Sequence, residues 1–246
     1  MKVAPRYWIP MAAVVVAAGL GCRPPEMGLA RERRLMVFER LGEVIGASVP
    51  DARILVVGNP FSRKTGAAPD VRHAADDALR GLKKGLGKGS WSIEVGYPEL
   101  KPGALDDPRS VDIPAGATTP LSFMTQPGAW DRLSEAHRGA TVWVSLIGLP
   151  ADLASTRAWT EPGGPKWVLY LADLEMIGPG DAVAAALREG RLLAAVLARP
   201  GAPAESKPLD ADSRAEFDAR YLLLTKDRAS GSAGAPSDAK RPSPPP

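Results

Sequence analysis

Eight consecutive residues come close to a phosphate-binding loop. Gly58-Asn59-Pro60-Phe61-Ser62-Arg63-Lys64-Thr65 carries the first glycine, the lysine and the hydroxyl of G-x-x-x-x-G-K-[ST] at the required spacing. Arg63 stands where that motif has its second glycine, the residue that lets the backbone curl around phosphate. Pro60 removes an N–H donor from the cradle. A nucleoside-triphosphate site is therefore not expected. A milder chemistry is open to the same residues: Asn59, Ser62, Arg63 and Lys64 offer amide, hydroxyl and cationic groups that could meet an anion. They would equally make a solvated turn.

Other polar residues follow predicted strands and could share a rim with that loop. They are Glu99, Thr118 and Thr119 with Ser122, Ser145, and Asp173 with Glu175. Together with Trp159 they could line a pocket with hydroxyls and carboxylates. The competing reading for Thr118 to Ser122 is turn or helix capping, and for Trp143 and Trp167 it is core packing. The two histidines, His73 and His137, lie on separate predicted helices, and no metal site is expected from them. No G-x-S-x-G elbow occurs, so the usual α/β-hydrolase nucleophile is missing. A Ser–His–Asp arrangement stays open, because such groups meet in space and not in sequence. The adjacent acids Asp76-Asp77 and Asp106-Asp107 read as caps or solvated charges.

The elements that must position these residues alternate. Leu35, Phe38, Leu41 and Ile45 recur every three to four residues and predict a helix over Leu29 to Ala47. The apolar run Arg53 to Val57, closed by Gly58-Asn59-Pro60, predicts a strand buried on both faces. Pro69-Asp70 opens a second helix that Gly87 ends. A weaker strand, Ser92 to Val95, precedes a long stretch without periodicity, Tyr97 to Pro120. Loops of that length inside a domain are often functional. A short helix over Gly128 to His137 then leads to a strand over Ala140 to Ile147. Helical turns over Asp152 to Trp159 and a strand over Lys166 to Leu171 follow. A helix over Ala182 to Glu189 is read as capped by Gly180-Asp181. The last strands are Leu192 to Leu197 and Arg220 to Thr225. This order predicts a single three-layer α/β domain over residues 29–226. Its sheet is mainly parallel, five- or six-stranded, with helices on both faces. Residues 227–246 are rich in Ser, Ala, Gly and Pro and read as a disordered tail.

The chain has 246 residues, 31 of them Lys or Arg and 28 Asp or Glu. Lys2 and Arg6 fall in a leading segment without acids, so the remainder carries a net charge of only +1. No concentrated basic face stands out, which argues against nucleic-acid binding. After Lys2 and Arg6 comes a short apolar run, Ile9 to Gly21, then Cys22, the only cysteine, then the polar Arg23-Pro24-Pro25-Glu26. This is the layout of a secretory signal. The run is too short for a membrane-spanning helix and contains Pro10.

Leu20-Gly21-Cys22 resembles the end of a bacterial lipobox, although that pattern prefers Leu where Gly19 stands. The resemblance implies a signal peptide over residues 1–21 and a lipidated Cys22 at the mature N-terminus, followed by a tether over 22–28. The partner it implies is the cell or outer membrane, with the protein facing the periplasm or exterior. An ordinary cleaved signal with an incidental cysteine is the alternative. From Arg53 to Pro200 the strand–helix order is also similar to one lobe of a type I periplasmic binding protein, in topology alone. Such proteins close two lobes on a ligand, and this chain has strands for one. The expected function is therefore non-enzymatic binding of a small ligand or a protein partner at the strand C-terminal rim, with no cofactor. The alternatives are a hydrolase-type enzyme using the same rim, or a structural envelope protein.

Overall fold

Val56 and Val57 are both completely buried, although neighbouring residues of a strand point to opposite faces. The sheet they belong to must be covered on both sides, and it is. The structure, a computed structural model, describes residues 25–227. The expected signal, Cys22 and most of the expected tail lie outside those residues.

Six strands form one sheet: β1 (Arg53–Val57), β2 (Ser92–Gly96), β3 (Val142–Ser145), β4 (Lys166–Tyr170), β5 (Leu192–Ala198) and β6 (Tyr221–Thr225). Their order is β2-β1-β3-β4-β5-β6. All neighbours are parallel except the β5–β6 pair. The helices are α1 (Pro25–Ser48), α2 (Pro69–Leu86), α3 (Pro120–Met124), α4 (Ala129–Ala136), α5 (Arg157–Thr160), α6 (Gly180–Arg188) and α7 (Ser213–Arg220). The three-layer α/β expectation holds.

The two faces carry different cores. Ile54, Val56, Val144, Val168 and Val196 pack under α1, α2 and Phe217 of α7. Leu55, Val57, Trp143, Trp167 and Leu169 pack under α4, α5 and α6. Register explains the second core, since Leu55, Trp143 and Trp167 are laterally paired across three strands. Trp130 of α4 closes on both strand tryptophans, with ring centroids 6.3 and 5.6 Å away. Trp143 and Trp167 are thus core residues.

α1 and α2 run side by side and meet through glycines. A Cβ on Gly81 would lie 2.7 Å from the Leu35 carbonyl oxygen and 2.7 Å from the Phe38 Cβ. One on Gly42 would lie 2.6 Å from the Leu82 carbonyl oxygen. Beside this contact Asp77 is only 1 % exposed and accepts from Arg31 Nε at 3.1 Å and from Arg34 Nη2 at 3.0 Å. Asp77 reads from the sequence as a cap or a solvated charge. Instead it joins the two helices, because α1 brings two guanidinium groups to it. Asp107 does cap, accepting from the Arg109 N–H at 3.1 Å.

Several boundaries differ from expectation. α1 begins at Pro25, inside the stretch read as tether. Proline costs nothing at a first helical position, where its missing N–H would be unpaired. β3 ends at Ser145 and not at Ile147, because Ser145 Oγ donates to the Gly148 carbonyl at 2.5 Å and Gly148 turns with φ +86. α6 has Pro179 at its cap position and starts at Gly180. α7 was not expected. Phe217 is its only large buried apolar residue, so no apolar period marks it. Its buried face holds a Glu216–Arg220 pair one turn apart. Arg220 also donates to the carbonyls of Pro203, Ala204 and Lys207 at 3.0, 3.2 and 3.2 Å, fixing the loop before the helix.

Candidate functional site

The strand order reverses between β1 and β3. In open α/β sheets ligands bind beyond the strand C-termini at such a reversal. The loops after β1 and β3 carry Asn59 to Lys64 and Ser145 to Pro150, so the sequence placed these residues at the right end of the sheet.

What occupies that crevice is the chain itself. The segment from Tyr97 to Met124 leaves β2 and folds back across the rim. Tyr97 lies against Gly58 so closely that a Cβ there would meet the ring at 2.7 Å. Arg63 stacks over the same ring, 5.4 Å from its centroid. Thr119 and Ser122 cover the loop after β3, where a Cβ on Gly148 would lie 3.0 Å from the Thr119 Cβ and 3.1 Å from the Ser122 Oγ. Ser122 Oγ donates to Thr119 Oγ1 at 3.2 Å, and the Thr119 hydroxyl faces the Met176 sulfur at 3.7 Å. Thr125 Oγ1 donates to the Ser122 carbonyl and accepts from Trp130 Nε1.

Most of the remaining candidates are also engaged within the chain. Asn59 Oδ1 accepts from the Phe61 N–H at 2.9 Å and caps a 3-10 turn. The backbone N–H of Ser62 closes the same turn on the Asn59 carbonyl. Lys64 Nζ donates to the Leu105 carbonyl at 2.8 Å. Glu99 pairs with Arg132 at 2.7 Å. Asp173 caps the 3-10 turn after β4 by accepting from Glu175 N–H. Thr118 is exposed beside buried Thr119. The structure therefore brings together Thr119, Ser122 and Ser145, which flank the Ile147-Gly148 turn, and separately Arg63 with Tyr97. Glu99 and Asp173 join neither group. Trp159 is not at the rim. It packs edge-on against Trp167 at 5.7 Å, with Arg191 over its ring, and Gly190 and Arg191 lead into β5 at the opposite end.

That opposite, strand-start end carries several cavities. Cavities of about 290 and 500 Å³ flank the Glu161–Pro165 turn. Another of about 580 Å³ lies between Arg40, Val44, Lys166, Leu193 and Thr225. Arg157 bridges Asp131 and Glu135 beside the first, and its hydrogen bond holds the Glu135 carboxyl below the usual range. Sequence reasoning pointed only to strand C-termini and passed over this end. Its one signal was the Glu161-Pro-Gly-Gly-Pro165 run, which can fill no cavity with side chains.

Neither histidine faces a nucleophile in its recorded contacts. His137 Nδ1 lies 2.7 Å from Glu94 Oε2, and Nε2 lies against the β2 backbone, 3.1 Å from where a Gly96 Cβ would be. His73 Nδ1 lies 3.7 Å from Asp76 Oδ2, one turn along α2. Among the described residues no group of three or more His, Cys, Asp and Glu side chains could hold a metal ion, and no helix is long and apolar enough to cross a membrane. Comparison with known proteins finds no family model that matches the chain and no curated protein similar to it in sequence.

Proposed function

We propose that this chain is a lipid-anchored cell-envelope protein, attached through Cys22, whose α/β domain binds a partner without catalysing a reaction. The anchor reading rests on the solitary cysteine directly after the apolar run. The binding reading rests on the rim. Arg63, Lys64, Thr119, Ser122 and Ser145 there are engaged with Tyr97, the Leu105 and Gly148 carbonyls and one another, so a small polar ligand meeting these groups would have to displace them. A protein partner engaging the charged clefts of the strand-start end requires no such displacement. The hydrolase alternative would draw on His137, whose Nδ1 is engaged with Glu94 and whose hydrogen bonds among the described residues include no serine.

Metabolic labelling with a palmitate analogue tests the anchor. Wild type takes the label and sediments with membranes, and Cys22→Ser does neither. Equal labelling of both, or wild type in the soluble fraction, contradicts the reading. A photo-crosslinker at Gly163 captures one discrete envelope protein where one at Asp106 captures none; the reverse pattern returns the partner to the rim.

A further inference from the structure

The position of the anchor determines which end of the domain meets the membrane. Cys22 precedes Pro25 by three residues, and a chain spans at most about 3.5 Å per residue, so a lipid on Cys22 sits within roughly 11 Å of the start of α1. α1 is 24 residues long, about 36 Å at 1.5 Å per residue. Its two ends are thus at opposite ends of the domain.

The start of α1 is at the rim. Arg31 and Arg34, in its second and third turns, contact Asp77 and share a cleft with Pro69, Asp70 and His73 at the opening of α2. α2 itself begins just after the loop that leaves the C-terminus of β1. The end of α1, with Val44, Ala47 and Ser48, shares a cavity with Leu192 at the start of β5 and Thr225 at the end of antiparallel β6. The lipid therefore emerges beside the rim, with the strand-start cavities a helix length away.

The rim also carries the two large apolar side chains exposed among the described residues, Leu105 at 38 % and Leu171 at 39 %. Leu171 is the first residue after β4 and holds φ +47, a left-handed conformation that favours glycine. Its backbone is held by the sheet, the Leu171 N–H donating to the Val196 carbonyl at 2.9 Å, while its side chain is left 39 % exposed. Strained positions held by the surrounding structure cluster at functional sites. Leu105 sits beside Lys64, whose ammonium is exposed and reaches the Leu105 carbonyl, and Arg63 is in the same loop as Lys64. Basic groups beside exposed leucines suit the boundary between lipid headgroups and acyl chains.

We propose that the strand C-terminal rim is the face this protein lays on the lipid bilayer, with Leu105 and Leu171 entering the headgroup region and the strand-start cavities turned outward. The proposal rests on the lipid anchor at Cys22. It gives the long Tyr97–Pro120 segment two tasks: closing the crevice and supplying a membrane contact. Acidic Asp106, Asp107, Asp173 and Glu175 share the rim, so the contact depends on the anchor and the two leucines and not on net charge.

The test uses the full chain, purified from membranes with its anchor and reconstituted into vesicles of phosphatidylethanolamine and phosphatidylglycerol. Flotation reports attachment, and amide hydrogen exchange reports which end is covered. The reference is the Leu105→Asp, Leu171→Asn double variant in the same vesicles, since Asn tolerates a left-handed φ. Wild type should exchange several-fold more slowly than the double variant at residues 103–107 and 171–176. Both should exchange equally at 161–165 and 189–191, which also shows that the variant is folded. Protein that floats with equal exchange at the rim, or with protection at the strand-start end, overturns the orientation and leaves the anchor reading standing. Protein that does not float removes the anchor, and the orientation falls with it.

Discussion

A glycine-to-alanine change inside a helix normally stabilises a protein, by about 0.5–1 kcal/mol, because alanine has less backbone freedom to lose. Gly81→Ala should do the opposite. The new Cβ would stand 2.7 Å from the Leu35 carbonyl oxygen and the Phe38 Cβ, and 3.0 Å from the Glu39 nitrogen. Favourable carbon contacts lie at about 3.5–4.0 Å, so α1 and α2 must separate locally by roughly 0.5–1 Å. A gap of that width forfeits about a quarter to a half of each dispersion contact along the seam. Overpacking of this kind costs about 1–3 kcal/mol, leaving a net loss of roughly 0–2.5 kcal/mol, centred near 1, after the gain in helix propensity. Gly28→Ala is the control: it lies in α1 with nothing within 4 Å of its would-be Cβ. Urea unfolding followed by far-UV circular dichroism measures both. With a slope of about 2 kcal/mol per molar, Gly81→Ala lowers the midpoint by about 0.5 M and at most about 1.2 M, while Gly28→Ala leaves it level or raises it. A raised midpoint for Gly81→Ala would refute the tight α1–α2 seam, and with it the fixed course of α1 from the rim to the far end of the sheet.

Val56→Asp and Val57→Asp should both lose at least about 4 kcal/mol, because each places an unpaired carboxylate in a different one of the two cores; one mild variant would mean that a sheet face is open to solvent. Arg220→Leu should cost about 3–5 kcal/mol by leaving Glu216 buried without its partner. It should also expose residues 203–207 to limited proteolysis, and an unchanged cleavage pattern would show that Arg220 does not hold that loop. Burial, with Tyr221 nearby, pushes the Tyr170 phenol up to about 12. In the unfolded chain a tyrosine loses its proton near pH 10. Stability from this group is therefore intact below pH 10 and declines between pH 10 and about 12. Tyr170→Phe should flatten the decline in denaturant midpoint over that range, and an unaltered slope would assign it to other groups.

The sheet was legible because its strands are written as apolar runs closed by Gly or Pro. Ile54 to Val57 needs no partner residue to be recognised. The candidate site was legible only in its location. Asn59 to Lys64 and Ser145 did come to the strand ends, but nothing in their spacing reveals that Tyr97, Thr119 and Ser122 fold back over them. That closure is made by contacts between residues tens of positions apart, at glycines whose missing side chains matter only in three dimensions. α7 escaped detection because its buried face is an ion pair and one phenylalanine, which carry no apolar period. Asp77 looked solvated for the same kind of reason, since its arginine partners lie on another helix.

Both the proposed role and the proposed orientation depend most on Cys22. Mass spectrometry of the N-terminal peptide of membrane-purified protein tests it directly. The account predicts a chain that begins at Cys22 and carries a thioether-linked diacylglycerol. A chain that begins at any other residue, or an unmodified Cys22 thiol, would contradict it.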